Sequence, residues 1–595
     1  MYFGLQTGWI SMMSLQASLL GFAILKPWQH SSFGPKENVY LQTVAVATAT
    51  MPLAAGFVGI IPALAQLDSN DHPTGPILLP AWKLMLWSLG LSLIGVFFAI
   101  PLRKQTIIRE QLPFPSGAAT AQMIQVLHHT TEESRVALDT LTESSSSSFD
   151  LSTEDTTWPL KRKALYVSFS ISSVYTLASY FFPILYALPL FNWISFGLVD
   201  FKAWEWYFTP SLSYVGQGMI MGLPTTLSML LGCVVGWGML SPMAYYAGWA
   251  PGPINDWQTG AKGWILWISL GVMISESIVS LLIMLVKQIH ATVNSYHLLT
   301  DHVEQSKEDV PLDQQVPLSI TLGGLAASIA LCILTVQIVF GSDVMPIHMT
   351  CVSIVCAFFL SILGVRALGE TDLNPVSGIG KMSQVVFAAL MPRAIVANLI
   401  AGGIAEAGAQ QAGDLMQDLK TGYLLQASPK AQFIGQLIGS CVSAVVATGA
   451  YLLYTTIYTV PGTEFPAPTA HVWLDMARLV NGHPLPPHVS EFVWLFGILF
   501  SVLTWIKETG YGYVPQGIAF AIGMYNPPSF TLARVIGGWL VYGWDRYCDQ
   551  PDAAWFGSYR RVGNIMLIVA SGFVLGEGTC AIVNMVLHAL GVPHF

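Results

Sequence analysis

The stretch WILWISLGVMISESIVSLLIMLV (264–286) holds a single ionisable side chain, Glu276, among its apolar residues. A helix needs about 20 apolar residues to cross a hydrocarbon layer roughly 30 Å thick, so the segment 262–286 that contains it reads as a membrane span. Barrel strands would instead alternate apolar and polar residues over about ten positions. The same reading applies to 4–25, 40–65, 80–101, 163–190, 317–340, 346–366, 431–458, 488–506 and 528–543. The regions 207–242, 370–400 and 562–595 are equally apolar, but Gly and Pro interrupt them. Two further apolar pieces, 114–127 and 514–526, are too short to cross. The expected fold is an all-α polytopic membrane protein with about 14–16 transmembrane or re-entrant helices.

Composition agrees with that reading. Of 595 residues, 53% are hydrophobic and 10% charged, with a mean hydropathy of +0.56. An ordinary soluble domain carries roughly 25% charged residues, so this chain cannot build a charged shell around a large soluble enzyme. Lys and Arg number 25 against 34 Asp and Glu, a formal net charge of −9. No basic field exists to hold nucleic acid. The seven cysteines, at 233, 332, 351, 356, 441, 548 and 580, contain no CxxC pair and read as free thiols in apolar segments.

The hydrophilic stretches are few. Segment 130–163 contains TESSSSSFDLSTED and cannot bury enough apolar area to fold. Segment 287–316 (VEQSKEDVPLDQQ) reads as a central linker, and 401–430 (AEAGAQQAGDLMQDLK) as a third, small and polar stretch. Lys and Arg concentrate at 103–109, 161–163 and 287, whereas 67–80 and 243–261 have none. The positive-inside rule puts the former in the cytosol. Both flanks of 113–129 are then cytosolic, and that piece re-enters. Arg546, Arg560 and Arg561 fit this scheme poorly.

Pro115-Ser116-Gly117-Ala118-Ala119 recurs as Pro515-Gln516-Gly517-Ile518-Ala519, and Gly216-Gln217-Gly218 resembles Gly576-Glu577-Gly578. These matches suggest two pseudo-repeated halves, 1–286 and 317–595, of one transporter-like domain. Repeats with paired broken helices are how many secondary transporters build a midplane site. Half-helices starting at PFPSG, NPVSG and YVPQG would aim partial positive charge inward, which suits a substrate carboxylate.

Scarce charge inside the apolar segments marks the candidates. Glu276 lies 14 residues past Lys262, about 21 Å along a helix. A carboxylate at that depth is costly and suits proton coupling. Glu577, in a Gly-flanked segment expected to be broken, is weighted likewise. Glu370, Asp372, Asn374 and Lys381 cluster in LGETDLNPVSGIGK (368–381) and could hold a zwitterion or form a salt-bridged gate. Lys507-Glu508 leads into Tyr511, Tyr513 and Gln516 and reads as interfacial. His290, His297 and His302 have no spacing that sets one helical face, so no metal site is expected. No HExxH, GxSxG or GxxxxGK[ST] motif occurs, which argues against a membrane enzyme and against ATP-driven transport.

Five long stretches carry a resemblance: YFGLQTGWISMMSLQASLLGFAI (2–24), PFPSGAATAQMIQVLHH (113–129), GETDLNPVSGIGKMSQ (369–384), AEAGAQQAGDLMQDLKTGYLLQASPKAQF (405–433) and AFAIGMYNPPSFTLARVIGG (519–538). The chain resembles the oligopeptide transporter (OPT) family, most closely its yellow stripe-like branch. That resemblance implies a bundle of about 16 helices and proton-driven uptake. The implied substrates are small oligopeptides or metal ions on peptide-like chelators, with no cofactor. Pro115, Ser116, Gly117, Asn374 and Pro375 fall in the family's membrane-embedded motifs. Family members usually carry a hydrophilic tail and one more helix before YFGLQTGW, whereas Met1 stands directly before Tyr2.

The sequence therefore points to a proton-coupled symporter in a lipid bilayer, at the plasma membrane or an endomembrane. Glu276 and Glu577 are its proton sites. Pro115, Ser116, Gly117, Gln217, Asp372, Asn374, Pro375, Lys381, Tyr513 and Gln516 line the pathway. A channel-like facilitator is the alternative, and it would show no pH change on substrate addition.

Overall fold

The computed structural model describes residues 1–8, 13–25, 33–128, 158–198, 200–257, 259–298, 310–371, 376–462, 464–482, 485–508, 514–548 and 565–593. Among them no strand forms, only a lone bridge between Leu188 and Phe208, and the protein is all-α. The chain folds into two compact units. One takes Phe3–Ser147 and Ser280–His483; the other takes Ser148–Val279 and Pro484–Phe595.

The first unit contains α1 (Tyr2–Thr7), α2 (Ser14–Leu25), α3 (Pro35–Ala54), α4 (Ile60–Leu64), α5 (Ala81–Leu91), α6 (Ile94–Arg103) and α7 (Pro115–His128). The second opens with α8 (Trp158–Phe181), α9 (Leu190–Ile194), α10 (Leu212–Met221), α11 (Leu223–Cys233), α12 (Ser241–Tyr246) and the start of α13 (Ala261–Leu298). After α13 the first unit resumes with α14 (Leu318–Phe340), α15 (Ile347–Thr371), α16 (Val376–Leu390), α17 (Ile395–Leu424), α18 (Pro429–Ile457) and α19 (Pro468–Val480). The second is completed by α20 (Val489–Glu508), α21 (Gly517–Tyr525), α22 (Pro528–Cys548) and α23 (Ile565–Ala589).

Eight helical runs among the described residues are long and apolar enough to cross a membrane: Ala81–Arg109, Leu223–Tyr246, Ala261–Ser280, Leu318–Phe340, Ile347–Arg366, Pro429–Ile457, Val489–Lys507 and Ile565–Ala589. Their outward faces are apolar, as at Val445 and Val446 of α18 and Trp494 and Ile498 of α20, all exposed. Water does not tolerate patches of that extent, and lipid does. This is an integral, multi-pass membrane protein.

Several expected spans differ in detail. The segment 4–25 is two helices separated at Gly8, whose φ of 70° ends α1. The segment 40–65 breaks after α3 at Gly56 (φ 71°), and the Trp87 indole donates to the freed Ala55 carbonyl at 2.9 Å. A broken helix in hydrocarbon needs such a partner from inside the protein. Conversely, 565–589 is one continuous helix, so Glu577 does not sit in a break. Gly576, before Glu577, serves packing instead: a Cβ on it would lie 2.5 Å from the Phe169 carbonyl of α8. The stretch 287–316 is not all linker, since α13 runs on to Leu298 and carries His290 and His297. Most of 130–163 lies outside the described residues, and its last residues already belong to α8.

The largest departure is at 401–430. Read as a polar stretch, it is most of α17, a helix of 30 residues with every residue from Ile395 to Gly422 buried. At 1.5 Å per residue it is about 45 Å long, enough to cross the bilayer through the middle of its unit. Around it pack α3, α6, α7, α15, α16 and α18. Protein, not lipid, is its solvent.

In the second unit α8 lies along α23, α10 against α22 and α23, and α11 against α21. Small residues bring these backbones together, as at many membrane helix crossings. A Cβ on Gly523 of α21 would sit 1.9 Å from the Met229 carbonyl of α11. We expect Gly523→Ala to cost about 1–3 kcal/mol by overpacking. Gly449→Ala, which meets nothing within 4 Å, should be neutral. Folded yield on fluorescence-detected size exclusion compares the two.

Outside the eight spans, α19 is pinned to the 65–80 loop. The Arg478 guanidinium grips Asp71 at 2.6 and 3.0 Å and reaches Asp475 at 3.3 Å. Burial outweighs the Arg478 charge and pushes the Asp475 carboxyl up to about 7. An unfolded aspartate titrates near 3.9, so between about pH 4 and 7 the folded chain holds the extra proton. This contribution to stability is complete at the acid end and is lost as pH rises through about 7, by at most about 1.4 kcal/mol per pH unit. The apparent melting temperature should therefore fall from pH 5 to pH 7.5, and Asp475→Asn should flatten that slope in a detergent thermal melt.

Candidate functional site

In the second unit, two buried glutamates meet the starts of two short helices. Glu276 projects from the middle of α13 and is 5% exposed. Its Oε2 accepts the backbone N–H of Ile518, at the first turn of α21. A helix start offers unpaired N–H groups and partial positive charge, so a carboxylate settles there. The sequence prepares the seat. Gln516 holds the N-cap with its own N–H on Ser228 Oγ at 3.1 Å. Gly517 follows because a Cβ there would stand 2.8 Å from Glu276 Oε2.

Glu577 of α23, also 5% exposed, repeats the arrangement at α10. Ser211, the N-cap residue of α10, donates its hydroxyl to both Glu577 oxygens at 2.9 and 2.7 Å. The Ser213 N–H donates to Oε2 at 3.2 Å. Both proton candidates named from the sequence therefore occupy anion seats at half-helix starts. The N–H group at YVPQG, expected to receive a substrate carboxylate, is taken by Glu276.

Gln217 of α10 lies next to a residue the sequence reading passed over. Its Oε1 accepts from Arg534 Nε and Nη2 of α22 at 3.1 and 2.9 Å. The guanidinium lies 4.9 Å from the Tyr214 ring centre. Arg534 is only 1% exposed. Its signal was available, since it is an Arg inside the span assigned to 528–543, the same kind of signal that singled out Glu276.

In the first unit, the polar groups gather on α17. Glu406 faces Lys381 of α16 electrostatically, and both are buried. Gln411 ties three elements: its amide donates to the Leu91 carbonyl at 3.0 Å, and its oxygen accepts the Gly95 N–H at 3.2 Å. Gln42 of α3 donates to Asp418. The PSG motif opens α7 against the far end of α17. Thr421 donates to the Gly117 carbonyl at 2.9 Å, and Lys420 Nζ donates to the Leu112 carbonyl at 2.9 Å. A Cβ on Gly117 would meet the Gln417 carbonyl at 2.6 Å, so glycine allows the approach. Pro115 is exposed and Ser116 half-buried.

Thus Pro115, Ser116 and Gly117 join the α17 cluster through α7. Lys381 joins it from α16. Gln217, Gln516, Glu276 and Glu577 belong to the second unit. Asp372, Asn374, Pro375 and Tyr513 lie outside the described residues. Glu406, Asp414 and Asp418 were missed because 401–430 was read as a small, polar stretch, and Gln42, inside the 40–65 span, was not singled out.

A family model described as OPT oligopeptide transporter protein matches residues 1–588. The chain is 39% identical to a Saccharomyces cerevisiae protein named "Putative oligopeptide transporter YGL114W", over 100% of this chain and 94% of that protein. It is 26% identical to an Arabidopsis thaliana protein named "Probable metal-nicotianamine transporter YSL6", over 99% of this chain and 89% of that protein. The rice protein of the same name is also 26% identical, over 99% and 88%. With one family model running nearly end to end over a membrane-spanning helical fold, this chain belongs to the OPT family of oligopeptide transporters.

Proposed function

We propose that the protein is a proton-coupled symporter that carries small oligopeptides or peptide-like metal chelates by alternating access. The observation that carries this reading is the pair of anion seats in the second unit. Each holds a titratable carboxylate of the protein's own, Glu276 on Ile518 N–H and Glu577 on Ser211 and Ser213. Peptides and peptide-like chelators also bear carboxylates. Protonating the resident glutamate removes the charge that binds it to the helix start, and frees those donors for the carboxylate of the cargo. Proton and cargo then enter the protein together, which is the thermodynamic requirement of symport.

Other residues fit around this exchange. Arg534 adds a buried cation in the same unit. Lys381, offset by Glu406, serves as a gating pair, and Asn374 and Tyr513 remain pathway residues by their sequence positions. The relatives' names supply the two cargo classes. Both carry carboxylates, so the same seats serve either.

The decisive variant is Glu276→Gln, which keeps an oxygen acceptor for Ile518 N–H but cannot titrate. In proteoliposomes with an imposed proton gradient, the unaltered protein should accumulate substrate by about tenfold per pH unit for each coupled proton. Glu276→Gln should lose that accumulation while retaining cargo exchange without a gradient. Unchanged gradient-driven uptake would remove Glu276 from the role. Glu577→Gln, run in parallel, tests the second seat. Labelled tetrapeptide and iron–nicotianamine as competing substrates separate the two cargo classes.

A further inference from the structure

The α17 cluster contains a set of oxygens that neither the anion seats nor the gating pair uses. Asp414 and Asp418 stand one turn apart on the same face of α17, and both side chains are wholly buried. Each has one oxygen hydrogen-bonded: Asp414 Oδ1 accepts from Gln410 at 2.7 Å, and Asp418 Oδ1 accepts from Gln42. Their Oδ2 atoms have no hydrogen bond. The same is true of Gln42 Oε1 and of Gln432 Oε1.

These amides cannot be turned round to repair the deficit. Gln432 Nε2 donates to the Asp418 carbonyl at 2.6 Å and to Thr43 Oγ1 at 3.4 Å, so a flip would press oxygen on oxygen. The nearby hydroxyls serve two acceptors each: Thr43 lies beside Asp418 and also donates to the Val39 carbonyl, and Thr50 lies beside Asp414 and also donates to the Val46 carbonyl. Four buried oxygens on three helices are left as acceptors only, two of them on carboxylates. Buried acceptors of this kind call for a partner, and buried carboxylates need a counter-charge.

The cluster is also reachable. A cavity of about 500 Å³ is bounded by Lys36, Glu37, Tyr40, Gln426 and Gln432. Gln432 is common to the cavity wall and to the Asp418 backbone contact, so it stands between the cavity and the aspartates.

Several charges on surrounding helices have partners away from the aspartates, while buried Arg103 of α6 and Lys36 of α3, on the cavity wall, are further cations on helices packed against α17. Lys381 of α16 faces Glu406; Arg366 of α15 holds Glu110 at 2.6 Å; Asp475 of α19 is held by Arg478. On α7, His128 bonds Asn38, and on α17 itself Lys420 bonds the Leu112 carbonyl. On α18 and α5, Lys430 and Lys83 reach the Asp313 and Val339 carbonyls. The charge that bears on Asp418 is Asp414.

We propose that Asp414, Asp418, Gln42 and Gln432 form a binding site for a hard metal cation, alkali or alkaline-earth, entering through the cavity at Gln432. A proton on one carboxylate adds one donor and leaves the remaining oxygens unpaired. A cation that takes several oxygen ligands answers the two carboxylates and whichever amide oxygens it reaches, and carboxylate and carbonyl oxygens select hard ions.

The test uses the full chain purified in choline chloride and titrated separately with NaCl, KCl, CaCl₂ and MgCl₂ at fixed pH and ionic strength. Thermal stability should rise saturably with at least one of them, as for any ligand bound by the folded state alone. Asp414→Asn and Asp418→Asn should each shift the midpoint at least about tenfold, and Gln432→Leu by a smaller factor. Binding of radiolabelled sodium or calcium to the unaltered protein and to Gln432→Leu provides the second measurement if the Asn variants misfold. No stabilisation beyond choline overturns the proposal. So does an unchanged midpoint in the double Asn variant. Stabilisation by acid but by no metal overturns it too, and makes the pair a proton carrier.

Discussion

A backbone N–H or C=O with no partner costs several kcal/mol in hydrocarbon, and a buried charge costs more. Much of the interior organisation described here answers that constraint. Where α3 breaks, the Trp87 indole takes the freed carbonyl. Where α21 starts, Glu276 takes an N–H; where α10 starts, Glu577 and Ser211 close the end. Where α7 starts, Thr421 and Lys420 of α17 hold the Gly117 and Leu112 carbonyls. Broken helices are the source of transporter chemistry, and they persist only because side chains elsewhere in the protein satisfy them.

The same constraint explains α17. A helix carrying Glu406, Gln410, Gln411, Asp414, Gln417, Asp418 and Lys420 cannot face lipid. It sits at the centre of its unit, wrapped by helices whose outer faces are apolar and whose inner faces carry Asn38, Gln42, Thr43, Lys381, Gln384 and Gln432, all buried. The first unit is thus built inside-out relative to a soluble domain, with its polar groups in the interior. Interior polarity of this density weakens packing, and a protein retains it where the polar groups handle ions or polar cargo. Both units combine acid groups with helix starts or amides, but by different means: the second seats its glutamates on N–H groups, and the first sets its aspartates among amide side chains.

How legible this was in the sequence differs residue by residue. Glu276 stood out because one carboxylate in an apolar run is a large deviation from its neighbours. Glu577 stood out for the same reason, although the expected break around it is a continuous helix. Gly next to Glu marked close approach of α8, which local pattern does not distinguish from a kink. Arg534 was visible by the rule that found Glu276. The α17 acids were invisible, because a window of residues such as AEAGAQQAGDLMQD has the composition of a surface stretch. Hydropathy measures what a segment would prefer as its solvent if that solvent were lipid or water; it has no term for a third solvent made of other helices.

The sequence by itself determined the class. Scarce charge and long apolar runs commit the chain to a helical membrane protein, since backbone satisfaction within each segment is a local property. Length, composition and the long motifs were enough for that and for the family. Only the tertiary structure decided which polar residues meet. Glu276 and Ile518 are separated by more than two hundred positions, as are Asp418 and Gln42. Their pairing depends on helix crossings set by glycine contacts and shared caps, and those are relations between segments that no single segment encodes.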